Sequence, residues 1–66
     1  MNEADLGEVF FEFRRFGGTV KVSAIHAASG TEVSLAGAAS AGEYALKMAA
    51  IRKLLYVLNR PVGGSG

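Results

Sequence analysis

The residues able to do chemistry are few and scattered. His26 is the single histidine, cysteine and tryptophan are absent, and Glu8, Glu12 and Glu32 sit in runs that read as strands. No nucleophile or orienting acid stands at a fixed spacing from His26, which reads as a structural histidine at a strand end. One imidazole without thiolates cannot assemble a transition-metal site unless carboxylates join it. The inventory therefore implies no catalytic residue, no metal and no cofactor, and the chain reads as a non-enzyme. Glycines 37 and 42 precede a helix start, where free N–H groups can hold an anion. However, GxxxxGK[ST] is absent, and Glu43 follows Gly42 and would repel phosphate. Arg14, Arg15 and Lys21 cluster near a glycine pair with Phe10 and Phe16 close by, a basic and aromatic pattern that suits single-stranded nucleic acid. Glu12 interrupts it, and seven basic against six acidic residues leave a net charge of +1, so a nucleic-acid partner is only the alternative reading.

The element that must position everything else is the run AGEYALKMAAIRKLLYVLN, residues 41–59, the one long stretch of good helix formers. Ser40 followed by Glu43 has the spacing of a reciprocal N-terminal cap, and Glu43 sets negative charge at the positive end of the helix dipole. Pro61 cannot continue the ladder, so about five turns, roughly 28 Å, are expected. At about 100° per residue the apolar positions fall on two main lines. Tyr44, Met48, Ile51, Leu55 and Leu58 repeat at four, three, four, three and are expected to form the core face. Leu46, Ala50, Leu54 and Val57 form the second line, which a small sheet has no surface left to cover. Exposed apolar surface of that extent implies a partner. The expectation is self-association, a dimer foremost, with Leu54→Glu giving a soluble monomer; an unidentified protein partner is the other possibility. A sheet curled far enough around the helix to cover both lines is the monomeric alternative.

The preceding residues supply the sheet. Residues 8–16 alternate and are rich in aromatic side chains, Gly17-Gly18 is a two-residue hairpin signal, and residues 19–26 make the second strand. Centring the turn on the glycines places Arg15 opposite Val20, Phe13 opposite Val22, Phe11 opposite Ala24 and Val9 opposite His26. A second turn ending at Gly30 leads into TEVSLA, residues 31–36, with Ala24 opposite Val33 and Val22 opposite Leu35. Both hairpins turn Val22 and Ala24 to the same side, and a slip by one residue would reverse every side chain. The inner face is then Val9, Phe11, Phe13, Val20, Val22, Ala24, Val33 and Leu35. On the outer face Phe10 pairs with Ile25, an apolar patch that joins the list of candidate interface residues. Residues 37–39 link sheet to helix.

The fold class is therefore α+β: a three-stranded antiparallel β-meander followed by one long C-terminal helix, β-β-β-α, with the helix on one face. Residues 1–7 are expected to be a disordered tail, 8–60 one domain, and 61–66 a flexible tail. With 66 residues and no cysteine the domain is near the lower limit of self-sufficiency, and half its residues are hydrophobic, which again favours oligomerisation. The acidic start is unlike a secretory signal, and Lys47, Arg52 and Lys53 interrupt the helix, so no membrane partner is expected and the cytoplasm is the default compartment. Four segments, Phe11 to Arg15, Thr31 to Val33, Ala39 to Glu43 and Ala49 to Leu58, resemble a family of short, uncharacterised alphaproteobacterial proteins, a domain of unknown function. The resemblance covers about residues 7–60. It implies a bacterial, cytoplasmic protein with no known activity and transfers no functional residue.

Overall fold

The computed structural model describes residues 5–60. Three strands, β1 (Val9–Phe16), β2 (Thr19–His26) and β3 (Glu32–Ala38), are followed by a short 3-10 turn over Ala39–Ala41 and by helix α1 (Glu43–Leu58). The sheet order is β1-β2-β3 with both pairs antiparallel, the meander expected from the alternation of residues. Gly17 takes a φ of +59° whereas Gly18 is not in the positive region, the signature of a type II′ hairpin turn, whose twist matches that of the strands it joins. Phe16 accordingly faces Thr19, and Arg15–Val20, Phe13–Val22, Phe11–Ala24 and Val9–His26 pair as predicted. At the second turn the His26 N–H donates to the Thr31 carbonyl at 2.8 Å. Ala24 then meets Val33 and Val22 meets Leu35.

Three local expectations are corrected. β3 runs on through Gly37 and Ala38, which pair with Val20 and Thr19, so these residues are strand and not link. The Ala39 N–H then donates to the Gly18 carbonyl at 2.7 Å, and Ser40 is drawn into the 3-10 turn. Gly42 becomes the N-cap without any side-chain bond, its carbonyl accepting from the Leu46 N–H at 3.2 Å, and α1 is about 24 Å long. The third correction is at the other end. Leu6 is only 5% exposed and belongs to the core, so the ordered fold begins before residue 8. Residues 1–4 and 61–66, where the remaining tail expectations fall, lie outside the described residues.

The largest departure is the roll of the helix. Leu46, Ala50 and Leu54 are the buried residues of α1, at 6%, 0% and 0% exposure, and they join Leu6, Val22, Ala24 and Val33 in one core cluster. The line expected to seek a partner is thus covered by the chain's own sheet. Tyr44 is 75% exposed, and Met48, Ile51, Leu55 and Leu58 are half-buried. The helix is turned by about 120° from the predicted roll, taking 100° per residue. Its cause is close approach. A small residue between two leucines lets the helix axis come down onto Val22 and Ala24. Gly37 on β3 leaves the notch that Leu46 fills, since a Cβ there would lie 2.5 Å from Leu46 Cδ2. Tyr44 on the buried line would have needed a partner for its hydroxyl. On either flank a lysine reaches out to solvent: Lys47 Nζ lies 5.0 Å from the centre of the Phe11 ring, and Lys53 Nζ donates to the Ser34 carbonyl at 2.6 Å.

Two substitutions test this packing. Gly37→Ala should lower stability by about 1–2 kcal/mol, because Leu46 must move off its seat. Leu54→Glu should unfold the domain and not yield a soluble monomer, since it buries an unpaired charge in a fold of this size. Urea denaturation followed by circular dichroism reads both, and a native-like Leu54→Glu variant would refute the roll.

Candidate interaction surface

α1 lies across β2 and β3 and scarcely meets β1. The six predicted interface residues divide accordingly. Leu46, Ala50 and Leu54 are interior, and Val57 is half-buried against the same core. A second chain would have to displace the sheet to reach the first three, which form no surface in this fold. Phe10 and Ile25 pair across β1 and β2 on the outer face as expected, with Phe10 52% exposed and Ile25 half-buried. Phe16 shares that face at 59% exposure.

Between Phe10 and Phe16 on the outer face of β1 stand Glu12 and Arg14. Arg14 is directly opposite Lys21, both exposed, a like-charge pair that costs stability at close cross-strand range. Arg15, the third basic candidate, does not join them. It points to the inner side at the hairpin end, where its Nε–H donates to the Gly17 carbonyl at 3.0 Å. There it lines an open cavity of about 290 Å³ with Phe13, Val20, Ala39, Glu43 and Leu46. The structure thus brings Arg14, Lys21, Phe10 and Phe16 onto one face and leaves Arg15 on the other.

At the opposite end of the sheet, His26 is 2% exposed and fully engaged. Its Nε2 lies 2.8 Å from the Leu6 carbonyl, which can only accept, so Nε2 carries the proton and donates. Nδ1 lies 2.7 Å from Ser29 Oγ, and in the neutral ring it accepts the serine proton. Ser29 Oγ also accepts from the Thr31 N–H at 3.2 Å and lies 2.9 Å from Thr31 Oγ1. A hydroxyl bonded to an imidazole is the pairing found at activated serines. Here, however, Ser29 Oγ is committed to the turn, and the cavity is at the far end of the sheet. The cluster ties the segment before β1 to the β2–β3 turn and seats Leu6 in the core. Leu6 was invisible to pattern reading because a lone leucine among polar residues carries no period.

Residues 6–61 match the model of a family described as Domain of unknown function (DUF6898). The chain belongs to that family. The match starts at the buried Leu6 and takes in the whole meander and α1. No curated protein and no solved structure matches the chain. Among the described residues no helix is long and apolar enough to cross a membrane.

If His26 serves as a tie, His26→Ala should cost about 2 kcal/mol by leaving the buried Leu6 carbonyl without a donor. It should also free residues 5–7 selectively, seen as loss of amide-exchange protection there with β2–β3 protection retained. Ser29→Ala, which leaves the bond to Leu6 intact, should cost clearly less.

Proposed function

We propose that this domain is a non-enzymatic assembly module that works by associating with a second copy of itself. The observation that carries the reading is the offset of α1 toward β2 and β3. It leaves β1 with Phe10 and Phe16 exposed on one face and Phe11 and Phe13 half-buried on the other. Lys47 above the Phe11 ring shows which flank of α1 looks toward β1, and Ile51 and Leu58 lie on that flank. Tyr44 extends the same apolar side of the helix into solvent. Aromatic residues at this density on one uncovered element are typical of the anchors of protein interfaces. We further propose a bacterial, cytoplasmic setting, as the sequence resemblance implies.

A second reading, contact with single-stranded nucleic acid, is favoured by the row Phe10, Arg14, Lys21 and Phe16 on the outer face. Against it, Glu12 and Glu32 occupy that same face and cancel its charge. Oligonucleotide binding that weakens steeply with salt would favour this reading over association.

Sedimentation over a hundredfold range of concentration should show a dimer at the upper end. Phe10→Ser combined with Phe16→Ser should shift the population to monomer while leaving the unfolding transition nearly unchanged, because both side chains are more than half exposed. A wild-type monomer at every concentration would remove the proposal.

A further inference from the structure

The two edges of the sheet are treated differently. On β3, Lys53 Nζ donates to the Ser34 carbonyl and so sets a charged side chain at the middle of the free edge. β1 has eight residues in unbroken register with β2, VFFEFRRF, without proline, glycine or bulge, and among the described residues no strand lies on its other side. The Glu8 carbonyl accepts from the Ala27 N–H at 3.1 Å. That bond phases the antiparallel ladder, so Phe10, Glu12, Arg14 and Phe16 exchange their bonds with β2. Val9, Phe11, Phe13 and Arg15 therefore turn their N–H and C=O groups outward along the open edge. This is the template for adding a strand.

We propose that the added strand is β1 of a second copy, antiparallel, with the two-fold axis at Phe13. Resting on the self-association reading above, the inference specifies its surface and register. The argument is charge and shape complementarity read along β1. With Phe13 facing its own copy, Glu12 stands opposite Arg14 of the partner subunit, and Phe10 opposite the partner's Phe16, each pair occurring twice by symmetry. On the inner face Phe11 stands opposite the partner's Arg15, an aromatic ring beside a guanidinium. Moving the axis one residue either way sets Glu12 against itself or Arg14 against itself. The Phe13-centred register also resolves the like-charge pair within the chain. Arg14 lies between Lys21 on one side and the partner's Glu12 on the other, so the strained cation gains a carboxylate. The outward hydrogen-bonding groups of Phe11, Phe13 and Arg15 face those of the partner's Arg15, the partner's Phe13 and the partner's Phe11, as a continuous six-stranded sheet requires, and Val9 falls opposite the turn at the partner's Gly17.

The test uses the absence of native cysteine. Phe10→Cys and Phe16→Cys are made as separate chains at exposed positions, which would fall about 4.5 Å apart between Cα atoms across the new pairing. That separation is within disulfide range. Under mild oxidation an equimolar mixture should crosslink to a mixed dimer at least about tenfold faster than either variant alone. Charge exchange gives the second readout. Glu12→Arg and Arg14→Glu singly should each raise the dimer dissociation constant about tenfold or more, and the double exchange should return it to near the wild-type value. Selective mixed crosslinking with rescue by the double exchange supports the inference. A wild-type dimer in which the mixture crosslinks no faster than the single variants, or in which the single charge variants associate normally, overturns the register and leaves self-association standing. A wild-type monomer overturns both.

Discussion

The close seating of Leu46, Ala50 and Leu54 on Val22, Ala24 and Val33 is the constraint from which the remaining arrangement follows. The sheet has three strands, and a helix lying close upon it spans about two of them. Because Gly37 makes the notch for Leu46 on β3, α1 is drawn to the β2–β3 side. β1 is left beside it with one face half-covered and one face bare. The same choice fixes which apolar line of the helix is inside, and it sends Lys47 and Lys53 to opposite flanks. In a domain of this length the core cluster is small, so there is little redundancy. The His26 tie adds Leu6 to that cluster from outside the meander and closes the end of the sheet remote from the hairpin.

Sheet topology and register were legible in the sequence because they depend on local chemistry. Two adjacent glycines between alternating runs determine a two-residue turn, and the turn sets every pair from Val9–His26 to Phe16–Thr19. The second hairpin was legible for the same reason, since Val22 and Ala24 had to face one way in both pairings. The roll of the helix was not legible. Two lines of similar hydrophobicity compete, and the decision lies in depth of packing, which periodicity does not encode. The heptad-like spacing of Tyr44, Met48, Ile51, Leu55 and Leu58 pointed to the wrong line. The information was present in the smallness of Ala50 and Gly37, but it becomes readable only once β3 is known to extend through Gly37. The cap was misread for a linked reason: with Gly37 and Ala38 taken into the strand, Ser40 no longer stands where the helix begins.

The candidate surface was partly legible. Phe10 and Ile25 were found as a cross-strand pair on the outer face because alternation places them there. The basic residues were grouped by sequence proximity, which a strand divides between its two faces; Arg14 and Arg15, neighbours in the chain, end on opposite sides of the sheet. Leu6 and the Ser29 hydroxyl escaped notice because their significance comes from His26, whose partners lie twenty residues back and three residues forward.

The bond from Lys53 to the Ser34 carbonyl has a consequence for growth. Strand addition is a polymerisation chemistry: a sheet with two open edges can take up monomers without end, and the product is a ribbon. A sheet with one edge stoppered by an ammonium group behaves as a chain terminator. In the pairing proposed above, two such units joined by their open edges would present only the edges that carry Lys53 to the solution, and the assembly would be finite. On that proposal, a single side chain projecting from the helix would bias the sheet toward pairing and away from open-ended growth.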